Sequence, residues 1–391
     1  MGWFIPNEKM STQQKLVLDG ILKKKQATNW IQGFAGTGKT VVLVNLMKNI
    51  SLIDSNASMC FITYTNALKD LVASGLDDSV EICTHTIFKI KKKQYDYVFL
   101  DEVQDITTED LYEIRKLSGV LHIAGDPDQN IYREHASISE LEEILQPQAW
   151  KLKEIFRLSE PIKDLALSVF PNANLIEGNQ AIQKAKATIR LFHCSDYETE
   201  CYEMYMRAKT RARPDNPSVI LFPGHTELLN FGSTLARKLV DDTPPNVNHK
   251  IKPYSDNPKK FPTYADFNNW WEENELPISF FGNGWGSFAE SELKPIVYLM
   301  TMHSSKGLDF KTVCIPGLNH DKNLIHSKDR DDDPDLEGRL LFVAITRTRK
   351  DLFLSHTSKN PHPLLHNAPE SVTRKFIAKT SDEDSESEDF L

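Results

Sequence analysis

The amino-acid sequence predicts an α/β fold with parallel sheets, and three observations carry that expectation. Residues 59–63, 97–100 and 120–124 are short apolar runs without polar alternation, as expected of strands buried on both faces. Each run is followed by polar residues, and open α/β sheets gather their ligands at such strand ends. Residues 33–40, Gly-Phe-Ala-Gly-Thr-Gly-Lys-Thr, fit G-x-x-x-x-G-K-[ST] between the apolar-leaning residues 29–32 and the run 41–47, a strand–loop–helix unit.

The loop is the first element in chain order with chemistry to read. Gly33, Gly36 and Gly38, with Ala35 and Thr37 between them, let backbone N–H groups close on phosphates at a helix N-terminus. Lys39 is placed to reach the β- and γ-phosphates, and the Thr40 hydroxyl to hold Mg²⁺. The run 97–100 leads into Asp101 and Glu102, two carboxylates with separate tasks: Asp101 orients Mg²⁺ through its water shell, and Glu102 polarises the attacking water. The run 120–124 leads into Gly-Asp-Pro-Asp-Gln at 125–129, where Gln129 can sense the γ-phosphate or position the water.

A second lobe is expected from near Trp150, with strands at 218–222, 296–301 and 312–315. Between them, residues 245–290 hold Trp270, Trp271, Phe280, Phe281 and Trp285, read as the core of a compact loop-rich segment in preference to a binding face. Lys89, Lys91, Lys92 and Lys93 read as a solvated surface, and the acidic, Pro-containing residues 321–335 as a flexible loop.

Composition narrows the class. A chain of 391 residues with 26% charged and 40% hydrophobic residues is expected to be soluble and to hold two or three domains. No apolar run approaches the ~18 residues a membrane span needs, so no membrane association is expected. The first residues lack the basic and apolar regions of a signal peptide. Five scattered cysteines without a C-x-x-C pair read as reduced thiols, which places the chain in the cytoplasm. The net charge of −9 falls to −3 for residues 1–380, because six acids lie after Ser381. That balance neither requires nor excludes nucleic acid, which needs a local basic groove rather than a basic total.

Taken together and in order, the motifs resemble those of superfamily 1 helicases of the UvrD/Rep/PcrA type. Met10-Ser11-Thr12-Gln13-Gln14 resembles the Q motif, residues 60–67 motif Ia, and His85-Thr86-Ile87-Phe88 the short motif after it. Residues 101–105 and 125–132 resemble motifs II and III, Ile155-Phe156-Arg157-Leu158-Ser159 motif IV, residues 301–310 motif V and residues 337–347 motif VI. The resemblance implies two RecA-like lobes, residues 1–150 and 151–375, with an ATP·Mg²⁺ site in the cleft between them. It implies that Gln14 reads adenine, that Gly307 and Asp309 belong to the nucleotide site with Asp309 on the ribose, and that Arg157 and Arg347 are arginine fingers. It also implies nucleic-acid contacts at Thr63, Tyr64, His85, Tyr132, Thr301 and His303, with 3′–5′ polarity on single-stranded nucleic acid, DNA before RNA.

Two departures qualify the resemblance. The interval from His85 to Asp101 leaves no room for the family's first accessory insertion, so the chain reads as a stripped motor. After motif III, Glu134 and His135 stand where the family has a Trp that stacks on bases, a platform worth ~1–3 kcal/mol per base. These leave two functions open: a helicase or translocase, or an ATPase whose lobe closure signals to a partner protein. Residues 376–391 are expected to be disordered. Their acidic run ending in Phe390-Leu391 resembles the tail of bacterial single-stranded DNA-binding proteins, which implies a protein partner or competition with nucleic acid; the bland reading is a solubilising tail.

Overall fold

Among the described residues, two parallel sheets follow one another along the chain, six strands and then seven, with a two-stranded parallel ribbon between them. The computed structural model describes residues 5–73, 80–126, 129–132, 134–173, 180–183, 187–251, 261–325 and 327–378. Of the expected disordered tail 376–391, residues 379–391 lie outside the described residues, whereas Phe376 and Ile377 end the last strand.

The first lobe opens with α1 (Thr12–Lys23), started by a capping box. The Ser11 hydroxyl accepts from Gln14 N at 3.2 Å, and Gln14 Oε1 accepts from Ser11 N at 3.0 Å. Then come β1 (Asn29–Gly33), α2 (Lys39–Ile53), β2 (Met59–Thr63), α3 (Asn66–Ala73), β3 (Glu81–Thr84), α4 (His85–Lys91) and β4 (Tyr95–Leu100). The lobe closes with α5 (Thr108–Lys116), β5 (Ser118–Gly125), α6 (Ile138–Leu145) and β6 (Gln148–Leu152). The strand order is β3-β2-β4-β5-β1-β6. That order sets β4, β5 and β1 side by side, so the loops after all three meet at one sheet edge. The apolar runs form strands because both faces are covered: Ile62 and Leu100 pack under α5, while Phe61 and Phe99 pack under α2.

His122 sits fully buried in β5, where burial pushes its pKa down to about 4. Its Nδ1 lies 3.4 Å from Asn29 Nδ2. An unfolded histidine titrates near ~6.5, so the neutral folded form adds stability above that pH. The contribution is lost as pH falls from ~6.5 through about 4, up to roughly 3 kcal/mol. In melting experiments between pH 7 and 4, His122→Phe should lose less stability on acidification than the wild type. Equal losses would show that another group carries the transition.

The ribbon pairs β7 (Glu154–Ser159) with β8 (Gln180–Gln183), separated by α7 (Glu160–Val169). The second lobe runs β9 (Thr188–Cys194), α8 (Tyr197–Arg211), β10 (Ser218–Phe222), α9 (His225–Val240), α10 (Tyr264–Glu273), β11 (Ile278–Phe280) and α11 (Ala289–Leu293). It continues with β12 (Val297–Thr301), β13 (Phe310–Ile315), α12 (Ser327–Asp332), α13 (Leu336–Ile345), β14 (Thr348–His356) and β15 (Thr373–Ile377). The order is β11-β12-β10-β13-β14-β9-β15, again all parallel.

The sheets extend two residues past the expected edges at 150 and 375, because β6 ends at Leu152 and β15 at Ile377. The aromatic segment supplies core: Tyr264, Phe267, Trp271 and Phe280 are all buried in the second lobe. Within the expected flexible loop 321–335 the chain instead forms α12, and Asp333 pairs with Arg339. Three of the four patch lysines meet carboxylates, Lys91 and Lys93 on Glu81 and Lys89 on Asp110. The five cysteines are buried and unpaired by disulfides. Among the described residues no helix is long and apolar enough to cross a membrane.

Candidate active site

The phosphate loop joins β1 to α2, and α2 begins at Lys39 with Gly38 at φ +85° as its N-cap. Gly36 has φ +79°, and a Cβ there would come within 2.5 Å of Arg157 Cβ, so only glycine fits both the turn and the approach of β7. Phe156 N donates to Gly36 O at 2.9 Å, which fixes β7 against the loop. Thr37 holds the loop from within, its Oγ1 donating to Phe34 O at 2.9 Å. Gln14 Nε2 donates to Thr37 O at 3.0 Å. Both ends of the Gln14 carboxamide thus have protein partners, although the residue lines the cavity where it was expected to read adenine.

At the neighbouring strand ends the acids converge on the loop. Thr40 Oγ1 donates to Asp101 Oδ2 at 2.6 Å, which brings together the two oxygen ligands expected for Mg²⁺. Lys39 Nζ donates to Gly33 O at 2.8 Å, and burial lowers its pKa against the opposing pull of Asp126, Glu102 and Asp101. Burial, reinforced by Glu102, pushes Asp101 up to about 7, a charge deficit that a hard cation fits. Burial also pushes the Glu102 carboxyl up, but Lys306, Lys39 and a hydrogen bond from Gln104 outweigh it and leave the pKa lowered. Glu102 is therefore an ionised carboxylate; its backbone sits at φ +54°, and its Oε2 accepts from Gln104 Nε2 at 2.5 Å. Gln129 Nε2 donates to Asp126 Oδ2 at 2.6 Å.

From the second lobe, Arg347 reaches across this cluster. Its Nη2 donates to Gln129 Oε1 at 3.1 Å, while Nε and Nη1 donate to Val343 O and Leu308 O. Burial pulls its pKa down to about 9. Arg157 Nε lies 2.9 Å from Asp309 Oδ2, and Arg349 pairs with the other oxygen of Asp309. Asp309 lines the cavity, where it was expected to meet the ribose, and its carboxylate is ion-paired with both arginines. Gly307, at φ +82°, closes on Leu68 of α3.

Together these residues enclose a cavity of about 790 Å³ whose walls include Gly36, Lys39, Thr40, Glu102, Gln129, Arg157, Gly307, Asp309 and Arg347 from the two lobes. The volume suits a nucleotide-sized ligand. Gly33, Thr37 and Asp101 stand behind the wall rather than on it.

A second cleft, about 360 Å³, opens between the lobes and is lined by Tyr64, Tyr132, Thr301 and His303, with Pro223, His225 and Asn283. Its rings are continuous: Tyr64 stacks on His85 at 4.7 Å between centroids, meets Tyr132 at 4.5 Å, and Tyr132 meets His303 at 5.6 Å. Burial, with Lys306 nearby, lowers His303 to about 4, so it is neutral at pH 7. Thr63 is fully buried and donates to Thr65 O, and Thr301 donates to Ser304 Oγ, so both hydroxyls serve the local turns. Sequence reasoning missed His225 and Asn283, which lie outside every motif. It also missed Lys306, Arg339 and Arg349, which lie within or just beyond motifs V and VI; Lys306, in Ser-Ser-Lys-Gly at a strand end, gave the one local signal.

Fold and site define a class: two lobes of RecA-like parallel sheets with a phosphate-loop motif at the cleft between them, roofed by arginines from the second lobe. The UvrD-like helicase C-terminal domain family matches residues 286–359, and the viral superfamily 1 RNA helicase core domain family matches residues 30–152. Within these segments the chain is similar to superfamily 1 helicases of the UvrD/Rep/PcrA type.

A probable DNA helicase II homolog of Mycoplasma pneumoniae is 42% identical over 74 residues, 17% of this chain and 10% of that protein. ATP-dependent DNA helicase PcrA of Bacillus subtilis is 31% identical over 99 residues, 24% of this chain and 13% of that protein. Each match thus spans about a tenth of the relative's length. The arterivirus nonstructural protein 10 helicase, solved with DNA, aligns at 14% identity and TM-score 0.43 over 86% of this chain and 63% of that one.

Proposed function

We propose that the chain is a Mg²⁺-dependent ATPase that moves along single-stranded nucleic acid, DNA in the first instance and 3′ to 5′, with weak strand separation. The observation that carries this reading is the ring-lined cleft shared by both lobes. Tyr132 in that cleft lies three residues from Gln129 in the nucleotide cavity, so one short segment serves both ligands. In the nucleotide cavity Lys39 and the loop N–H groups hold the phosphates. Thr40 and Asp101 hold the metal, which neutralises phosphate charge when bound. Glu102 accepts a proton from the attacking water, Gln129 positions that water, and Arg157 and Arg347 meet the charge that develops on the transferred phosphoryl group. Names of relatives support DNA as the track: helicase II, Rep and PcrA are all called DNA helicases.

In the second cleft, Tyr64 and Tyr132 offer π-faces to bases, and His303, neutral at pH 7, donates or accepts a hydrogen bond without adding charge. The short interval between α4 and β4, together with Glu134 and His135 in place of a stacking Trp, removes elements that would hold a fork open. A single-stranded oligothymidylate should stimulate ATP turnover, and its affinity should fall with salt at a slope near −0.7 per phosphate neutralised. Tyr64→Ala and Tyr132→Ala should each weaken binding by roughly 5- to 150-fold, the equivalent of ~1–3 kcal/mol. Absence of binding and of stimulation by DNA and RNA alike would reject the motor and favour an ATPase that signals to a protein.

A further inference from the structure

Among the described residues, the most heavily buried ion pair between the lobes lies in neither cleft. Lys306, on the turn after β12, projects out of the second lobe, and its Nζ lies 2.6 Å from Asp105 Oδ1. The two side chains are 1% and 0% exposed. The same ammonium donates to the backbone carbonyl of Gln129 and lies 5.8 Å from the Tyr132 ring centroid. Asp105 terminates the short 3₁₀ turn that begins at Glu102, and its N–H donates to Glu102 O at 3.0 Å.

Two other cations of the second lobe grip the same stretch. Arg347 holds the Gln129 side chain, and Arg339 Nε donates to Asn130 O at 2.8 Å. Asn130 in turn bonds Gln104 O through its Nδ2 and Tyr132 N through its Oδ1. Residues 129–132 are therefore a short strut. One end is the γ-phosphate sensor, the other is a ring of the second cleft, and the middle is fastened to the second lobe.

Resting on the motor reading above, we propose that Lys306 is the positioning residue that couples the two clefts: by clamping Asp105 and the Gln129 carbonyl it makes the place of Tyr132 depend on how the lobes close over nucleotide. Charge chemistry explains why a lysine is needed. A single ammonium has three donors and no acceptor, so it serves a carboxylate and a carbonyl at once. Asp105 Oδ2 is buried without a hydrogen-bond partner, so Lys306 is the cation this acid faces directly. Lobe opening separates the pair and leaves both charges to water. Closure re-forms it with one geometry for residues 129–132, which gives the two discrete arrangements that coupling requires.

The test is thermodynamic linkage, measured by anisotropy of a labelled oligothymidylate with and without a non-hydrolysable ATP analogue and Mg²⁺. In the wild type the analogue should change oligonucleotide affinity by roughly 5- to 150-fold, and the oligonucleotide should change analogue affinity by the same factor. In Lys306→Met that factor should collapse to within about 2-fold of one, while each ligand alone still binds. Because Lys306→Met leaves Asp105 buried without its partner, the double variant Lys306→Met/Asp105→Leu, which removes both charges, provides a folded control by melting temperature. It should be uncoupled as well. A folded double variant that keeps the wild-type factor overturns the proposal, whereas a wild type that binds no oligonucleotide overturns the motor reading itself and this inference with it.

Discussion

Arg347→Ala should lower ATP turnover by a factor of ~10³–10⁵ and leave nucleotide affinity within about tenfold. The expectation follows from where the guanidinium sits. It is 1% exposed, anchored by Val343 O and Leu308 O, and aimed at Gln129 Oε1 on the far side of the cleft. An arginine so placed contributes where phosphoryl charge develops rather than where ground-state nucleotide binds, so kcat falls and KM changes little. The loss is equivalent to about 4–7 kcal/mol of barrier. Removing the side chain also leaves buried carbonyls without donors, at about 1–3 kcal/mol each, so melting temperature must be measured beside the rate. Arg347→Lys retains a charge but cannot fork between Gln129 and the two carbonyls, and it should recover only a small part of the activity. A folded Arg347→Ala variant that keeps a tenth of the wild-type kcat would remove this residue from the catalytic step.

That placement could be anticipated only in part from the chain. The phosphate loop and the two acidic segments were legible because their chemistry is local: each lies within a few residues of a strand end, and apolar runs marked β2, β4, β5, β10, β12 and β13. Edge strands escaped. β15 is exposed along most of its length and β6 alternates, since an edge strand is covered on fewer sides and so tolerates polar residues. The wiring between the lobes escaped for another reason. Lys306 and Asp105 are 201 positions apart, Arg347 and Gln129 are 218 apart, and no local pattern announces such pairs. Asp309 shows the limit of motif reading: its place in the motif suggested the ribose, and gave no sign of the ion pairs it makes with Arg157 and Arg349.

Glu102→Gln should bind ATP at close to wild-type affinity and hydrolyse it ~10²–10⁴-fold more slowly, so that the protein isolated after one turnover time carries ATP rather than ADP. The substitution keeps size and one hydrogen-bonding oxygen while removing the ability to accept a proton. Three features favour Glu102 over Asp101 as the proposed base. Asp101 is tied to Thr40 and stands behind the cavity wall, whereas Glu102 lines the cavity. Lys306 and Lys39 keep the Glu102 carboxyl ionised in spite of its burial. The backbone at Glu102 also adopts φ +54°, a left-handed conformation with a cost of order 1–3 kcal/mol that this non-glycine residue accepts at the end of β4. At that turn the side chain accepts from Gln104 Nε2. A glutamine there keeps the turn and loses the chemistry, so binding and catalysis should separate cleanly. Single-turnover hydrolysis measured with protein in excess reads the chemical step without product release; a wild-type rate in that assay would assign the base to another group.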